Sequence, residues 1–179
     1  MAGPQRASLA GGLRLAGRPV CLRRLREGDR PALEDFLARI DSHDLQMRFL
    51  AGFRSVPPAL LEQLTHVDDE RRLALLAIDE RREGVPEILA VARAHAHPDG
   101  RTAELGLLVR SDLKGQGFGS LLLERLIRLC RSCGVSRLVA DVLWQNARML
   151  RLARKYGFRR ETAEGDTVRL VLDLVPAAA

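Results

Sequence analysis

The amino-acid sequence predicts an α/β (α+β) fold: a mixed, mostly antiparallel sheet with one parallel strand pair and about four helices. Three observations carry this. From Arg72, three strand-like runs follow one another, RLALLAI, EILAVARAHAH and TAELGLLV. ERREGVP and Pro98-Asp99-Gly100 join them, connections short enough only for an antiparallel meander. Next, Glu104–Leu129 passes from an apolar run through Gly115, Gly117 and Gly119 into an amphipathic helix. Finally, SRLVADVL at 136–143 follows that helical crossover, so it lies parallel to the strand containing Glu104.

The elements follow in order. Residues 1–17, MAGPQRASLAGGLRLAG, read as a flexible leader with no continuous apolar stretch of the signal-peptide kind. In RPVCLRRL at 18–25, Val20 and Leu22 share one face of a strand, and Cys21 and Arg23 the other. Asp29 is placed to cap a helix with Pro31 in its first turn and Leu33, Phe36, Leu37 and Ile40 on its inner face. Asp41 to Pro58 is less regular and holds Arg48, Phe49, Phe53 and Arg54. Ser55, Pro57 and Pro58 open a second helix, with Leu60, Leu61 and Leu64 as its stripe. After the glycine loop, Leu122, Leu123, Leu126, Ile127 and Cys130 face inward, Glu124, Arg125, Arg128 and Arg131 face water, and Gly134 ends the helix. Asn146 caps a last helix that runs through Lys155. A closing hairpin pairs GFRRET with TVRLVLDLV around Glu164-Gly165-Asp166.

Composition limits the function classes. A chain of 179 residues, 46% hydrophobic and 29% charged, suits one globular domain. No apolar run approaches the ~20 residues of a membrane helix, so a cytoplasmic protein without a membrane partner is expected. The net charge is +6, nearly all from arginine, and Lys114 and Lys155 are the only lysines. The basic residues are scattered and aromatics make up 4%, which argues against a nucleic-acid platform. Cys130 and Cys133 form a C-x-x-C on a helix, read as buried thiols because no histidine has the spacing to complete a metal site; none is expected. His95 and His97 share a strand face and read as a surface pair.

A strand, a glycine loop and a helix N-terminus form a device for holding phosphate, because free N–H groups and the helix dipole converge there. A P-loop would need a lysine after the last glycine, where Ser120 follows Gly119. A dinucleotide fold would need a series of parallel strands. Gly115, Gly117 and Ser120, with Asp141 in place of the ribose acid, nearly match its fingerprint, but the meander before the loop and the single crossover after it cannot supply them.

Lys114-Gly115-Gln116-Gly117-Phe118-Gly119 resembles the Q/R-x-x-G-x-G/A signature of the GNAT superfamily of acyl-CoA-dependent N-acyltransferases, departing from it at Lys114. Asn146 and Tyr156-Gly157-Phe158 resemble the family's second half, and the likeness covers about Val20 to Leu174, within a single domain set at 18–175. SHDLQMRFL at 42–50 and VDDERRLALLA at 67–77 are similar to segments of bacterial Pat-type protein lysine acetyltransferases, as is Glu104 to Gly119.

The resemblance implies acetyl-CoA as acyl donor, with its pyrophosphate on Lys114, Gly115, Gln116, Gly117, Phe118, Gly119 and Ser120 and with Asn146 nearby. It implies that the pantetheine arm runs along Leu107, Leu108 and Val109 where this strand splays from 136–143, with an N–H near Leu108 polarising the thioester carbonyl. A lysine amine, with pKa near ~10.4, needs a general base. Glu104 stands ten residues before Lys114, where Pat-type enzymes carry a catalytic glutamate, and its apolar run suggests that burial raises its pKa. The tyrosine general acid of many small-amine members is Ala153 here, and Tyr156 reads as packing. The expected partner is a protein with an accessible lysine; a small amine, a protein N-terminus or a non-catalytic acetyl-CoA sensor are the alternatives.

Overall fold

The computed structural model describes residues 13–52, 55–66, 71–79, 81 and 86–174. Among the described residues, eight strands form one sheet: β1 (Arg14–Leu15), β2 (Arg18–Arg24), β3 (Arg72–Asp79), β4 (Glu87–Ala96), β5 (Thr102–Val109), β6 (Arg137–Leu143), β7 (Arg159–Glu164) and β8 (Thr167–Asp173). Their spatial order is β1-β2-β3-β4-β5-β6-β8-β7, antiparallel throughout except at β5–β6. The helices are α1 (Arg30–Ala38), α2 (Ser42–Phe49), α3 (Pro58–Thr65), α4 (Phe118–Ser132) and α5 (Ala147–Lys155).

Helices cover both faces, which explains why the central strands read as unbroken apolar runs. On one face Leu73, Leu75 and Ala77 of β3 join Leu105 of β5 and Leu122, Leu123 and Leu126 of α4. On the other, Ala74, Leu76 and Ile78 join Leu33, Phe36 and Leu37 of α1 and Leu45 of α2. Each fully buried leucine contributes about 1.5–3 kcal/mol, so α4, with three leucines at zero exposure, is the main clamp on its face. Gly134, at φ +80°, ends α4 in the left-handed conformation expected of a helix-stop glycine.

Among the described residues there are five α-helices, in line with the expected fold, and the additional one lies in the irregular 41–58 segment. The Asp41 carboxylate accepts the Asp44 N–H at 2.9 Å as a true N-cap, and Leu45 and Met47 are buried. Eight residues are too few for a clear period, which is why the helix is hard to read. Phe53, Arg54 and 67–70 lie outside the described residues, as do leader residues 1–12 and residue 175. Several expectations are corrected. The leader's end is strand: Arg14–Leu15 pairs with Pro19 and Arg18. Asp29 precedes α1 without capping it by its side chain. Its carboxylate instead accepts from both terminal nitrogens of Arg23, each at 2.6 Å, and from the Arg26 N–H at 2.7 Å. Of the two helix cysteines only Cys130 is buried, its thiol pushed up to about 12 by loss of solvent; Cys133 is exposed at the C-cap.

Candidate active site

The site begins where two strands part. β5 and β6 pair at Thr102↔Arg137, Ala103↔Leu138 and Glu104↔Val139. Past Glu104 they diverge, while β5 continues along β4 as far as Val109. At one end of β5, the His97 N–H donates to the Thr102 carbonyl at 2.8 Å; at the other, the Arg110 N–H donates to the Leu89 carbonyl at 3.0 Å. Even-numbered residues of β5 therefore turn their backbone groups toward β4, and odd-numbered ones face the fork. This revises the expected oxyanion donor. The Leu108 N–H belongs to the β4 ladder, whereas the N–H groups of Leu107 and Val109 point into the gap.

The loop after β5 ends in α4. Gly115 and Gly117 hold φ +76° and +94°, conformations that L side chains rarely adopt. The first ladder bond of α4 runs from the Leu121 N–H to the Gly117 carbonyl at 3.0 Å. The N–H groups of Phe118, Gly119 and Ser120 therefore have no acceptor within the helix. A Cβ at Gly119 would come within 3.3 Å of Leu152 and 3.5 Å of Leu107, so glycine lets the first turn of α4 sit close against β5 and α5. The Tyr156 hydroxyl donates to the Ser120 carbonyl at 2.9 Å, a structural tie between α5 and α4.

A cleft of about 910 Å³ connects fork and loop. Among the expected residues, Leu107, Leu108, Val109, Lys114, Gly115, Gly117, Phe118, Gly119, Ser120 and Asn146 line it. Gln116 and Glu104 do not. Gln116 turns its side-chain amide back onto the Asp112 carbonyl at 3.2 Å. Asn146 uses its side-chain oxygen to accept the Met149 N–H at 3.1 Å, capping α5 from the wall of the cleft. Ala153 is fully buried and has no proton to give.

Glu104 stands at the last paired position of the fork and is exposed, so the burial expected of it is absent. The reason is lateral: the helical layer covers Leu108, but the row containing Glu104 continues into His95, which is also exposed. Lys114, the departure from the glycine-loop pattern, forms an ion pair with Asp44 of α2. Asp44 also accepts the Ser111 hydroxyl at 2.7 Å, and that hydroxyl oxygen in turn accepts the Asp41 N–H at 3.0 Å. Burial pushes the Lys114 ammonium below its ordinary value; Asp41 opposes this and Arg148 adds to it. Arg148 and Arg151, which sequence reasoning passed over, line the opposite wall on α5. Arg148 lies in the first turn of that helix, where a cation opposes the dipole and no acidic residue offsets it. The cleft sets Arg48, Lys114, Arg148 and Arg151 against Asp41, Asp44 and Asp141, with free N–H groups at both the loop and the fork, and those N–H groups fit an anion joined to a chain of amides.

The model described as the acetyltransferase (GNAT) family matches residues 38–158. Acetyltransferase PA5475 of Pseudomonas aeruginosa is 26% identical over 155 residues, covering 87% of this chain and 83% of its own. Among solved structures, the GNAT domain of S. lividans PAT superposes with TM-score 0.77 at 26% identity, covering 87% and 90% of the two chains. The structure of yncA from Salmonella typhimurium with its cofactor acetyl-CoA gives 0.64 at 20% identity, covering 89% and 96%, a likeness of fold.

Proposed function

The chain belongs to the acetyltransferase (GNAT) family, and on that premise we propose that its acceptor is the side-chain amine of a protein lysine, with Glu104 as general base. As a family member it transfers an acetyl group from acetyl-CoA to an amine. The observation that carries the finer reading is the position of Glu104. It is the last residue paired to β6 before the strands part, and it is exposed on the strand that carries the Leu107 and Val109 N–H groups three and five residues on. Similarity at 26% identity to the GNAT domain of S. lividans PAT supports a Pat-type reading.

In this mechanism the N–H groups of Phe118, Gly119 and Ser120 hold the pyrophosphate at the start of α4, where the dipole favours anions. The N–H groups of Leu107 and Val109 take the amide carbonyl of the pantetheine arm and the thioester oxygen, whose negative charge grows during attack. Glu104 accepts the proton of the acceptor ammonium, directly or through water, so that a neutral amine attacks. With alanine at 153, no side chain there protonates the leaving thiolate.

The test is Glu104→Gln assayed with acetyl-CoA and a panel of proteins and small amines, reading acceptor mass by mass spectrometry. Turnover should fall at least about a hundredfold, as loss of a general base costs, with acetyl-CoA affinity nearly intact. Undiminished turnover removes Glu104 from the mechanism. Acetylation of small amines alone rejects the protein acceptor, and binding without any acylated acceptor favours a sensor.

A further inference from the structure

Gly106 stands in the interior of β5, where glycine weakens a strand unless something needs to approach its backbone. Arg48 of α2 makes that approach. A Cβ at position 106 would overlap the Arg48 guanidinium, so the missing side chain is a notch in the sheet that seats it. The notch lies just past the last β5–β6 pair, at the narrow end of the fork, and Gly106 and Arg48 both line the cleft there. The guanidinium carbon is 4.9 Å from the centre of the Phe49 ring. Among the described residues the guanidinium makes no hydrogen bond and no ion pair.

A guanidinium carries five N–H donors in a planar fork. Arg48 is half-buried, and taking such a group partly out of water without an acceptor costs free energy. The aromatic ring attracts the charge but accepts none of the in-plane donors. The carboxylates along the cleft are already engaged: Asp44 holds the Lys114 ammonium, Asp141 pairs with Arg169 at 2.9 Å, and Asp41 caps α2. Arg93, directly opposite Gly106 on β4, donates to the Leu64 carbonyl of α3. It brings a second guanidinium to this face of the sheet, not a counter-ion. The fork end of the cleft therefore presents a cation whose donors await an acceptor from outside the chain.

We propose that Arg48 is a specificity-determining residue: seated in the notch at Gly106, its guanidinium receives a carboxylate carried by the acceptor. The inference deepens the reading of the acceptor as a protein lysine and rests on it for the source of that carboxylate, an aspartate or glutamate two residues from the lysine. Carboxylate is the chemistry that fits, because it meets the planar fork of arginine through two parallel N–H···O bonds. The spacing fits as well. Glu104 and Gly106 are alternate residues on one face of β5, roughly 7 Å apart along the strand. An extended acceptor chain sets alternate side chains at the same spacing, so a lysine reaching toward Glu104 brings its second neighbour to the notch.

The experiment measures kcat/KM with amidated single-lysine peptides that carry glutamate or glutamine two residues to either side of the lysine, and with free lysine against lysinamide. The proteins are the full chain, Arg48→Gln, Arg48→Lys, Gly106→Ala and, at the other wall of the cleft, Arg151→Gln. The full chain should favour a glutamate peptide over its glutamine twin by about ten- to a hundredfold, the range of a hydrogen bond to a charged group. The ratio should fall to about one in Arg48→Gln, and Arg48→Lys, a point charge without the fork, should keep only part of it. Gly106→Ala fills the notch and should lower the ratio too; it decides the matter if Arg48→Gln does not fold. Arg151→Gln should keep it. Equal use of the paired peptides by the full chain overturns the proposal, as does a preference that survives in the folded Arg48 or Gly106 variant or that is lost in Arg151→Gln. If the peptides are acetylated without preference, the protein acceptor stands and the carboxylate site fails. If only free amines are acetylated, and Arg48 is what favours lysine over lysinamide, the protein acceptor fails and the carboxylate site stands, filled by an amino acid.

Discussion

Replacing Asp44 with asparagine tests how the glycine loop is fastened to the rest of the molecule. The Asp44 side chain is 4% exposed and bonds the Lys114 ammonium and the Ser111 hydroxyl at once. Asparagine keeps the shape and can still accept from Ser111, so the substitution isolates the charge on Lys114. Breaking a fully buried pair would cost about 3–5 kcal/mol. Lys114 is 26% exposed and can turn to water, so the loss reduces to about 1–2 kcal/mol, the ~1.5–3 kcal/mol of a hydrogen bond to a charged group discounted for solvent screening. For a chain of this size that is a fall in Tm of roughly 2–8 °C. Scanning calorimetry of wild type, Asp44→Asn, Lys114→Met and the double variant supplies the cycle. The two single losses should overlap, so that the double variant is little worse than either. Because Asp44 already holds the Lys114 ammonium, freeing it should not weaken acetyl-CoA, and titration calorimetry should find the Kd unchanged or lower. Additive losses of Tm would show that the pair does not couple α2 to the loop. A Kd raised tenfold in Asp44→Asn would refute the assignment of phosphate binding to backbone N–H groups.

Two further outcomes are expected. Arg148→Glu reverses a charge on the cleft wall at the start of α5 and should raise the acetyl-CoA Kd by about tenfold, with a weaker salt dependence than wild type; titration at two ionic strengths checks it, and unchanged affinity would exclude α5 from the anion site. Hydrogen bonds from Arg81, with Arg18 adding to them, hold the buried Asp79 carboxyl well below the usual carboxylate range. A carboxyl with a lowered folded-state pKa stabilises fully above its unfolded value of ~3.9 and loses that contribution as pH falls toward the folded value. The Tm difference between wild type and Asp79→Asn should therefore hold steady from neutral pH downward and shrink below about pH 4. A difference that grows in acid would contradict the sign.

Short-range signals in the chain account for most of the fold. The meander, the crossover, the glycine loop and the closing hairpin follow from apolar period, turn residues and connection length, and β5 and β6 are parallel as the crossover requires. Helix α2 escaped because an eight-residue helix in which Ser42, His43, Asp44, Gln46 and Arg48 are polar shows little period. Asp29 looked like a cap because aspartate before a proline-bearing helix usually is one. The competing bonds to Arg23 come from a neighbouring strand, and their geometry depends on where that strand places the guanidinium.

The site divides in the same way. Sequence alone determined the glycine loop and the helix start that follows it, since glycine at 115 and 117 and a helix starting at Phe118 are local facts of backbone conformation. It also marked Glu104 and the strand that carries it. Tertiary structure decided which groups face one another across that strand. Hydrogen-bond alternation set by pairing with β4 turned the Leu107 and Val109 N–H groups, and not that of Leu108, into the fork. The packing of α2 over the sheet seated Arg48 at Gly106 and bound Lys114 to Asp44. Residues 58 and 70 apart in the chain meet there because two elements pack, and that proximity leaves no trace in the local pattern of either.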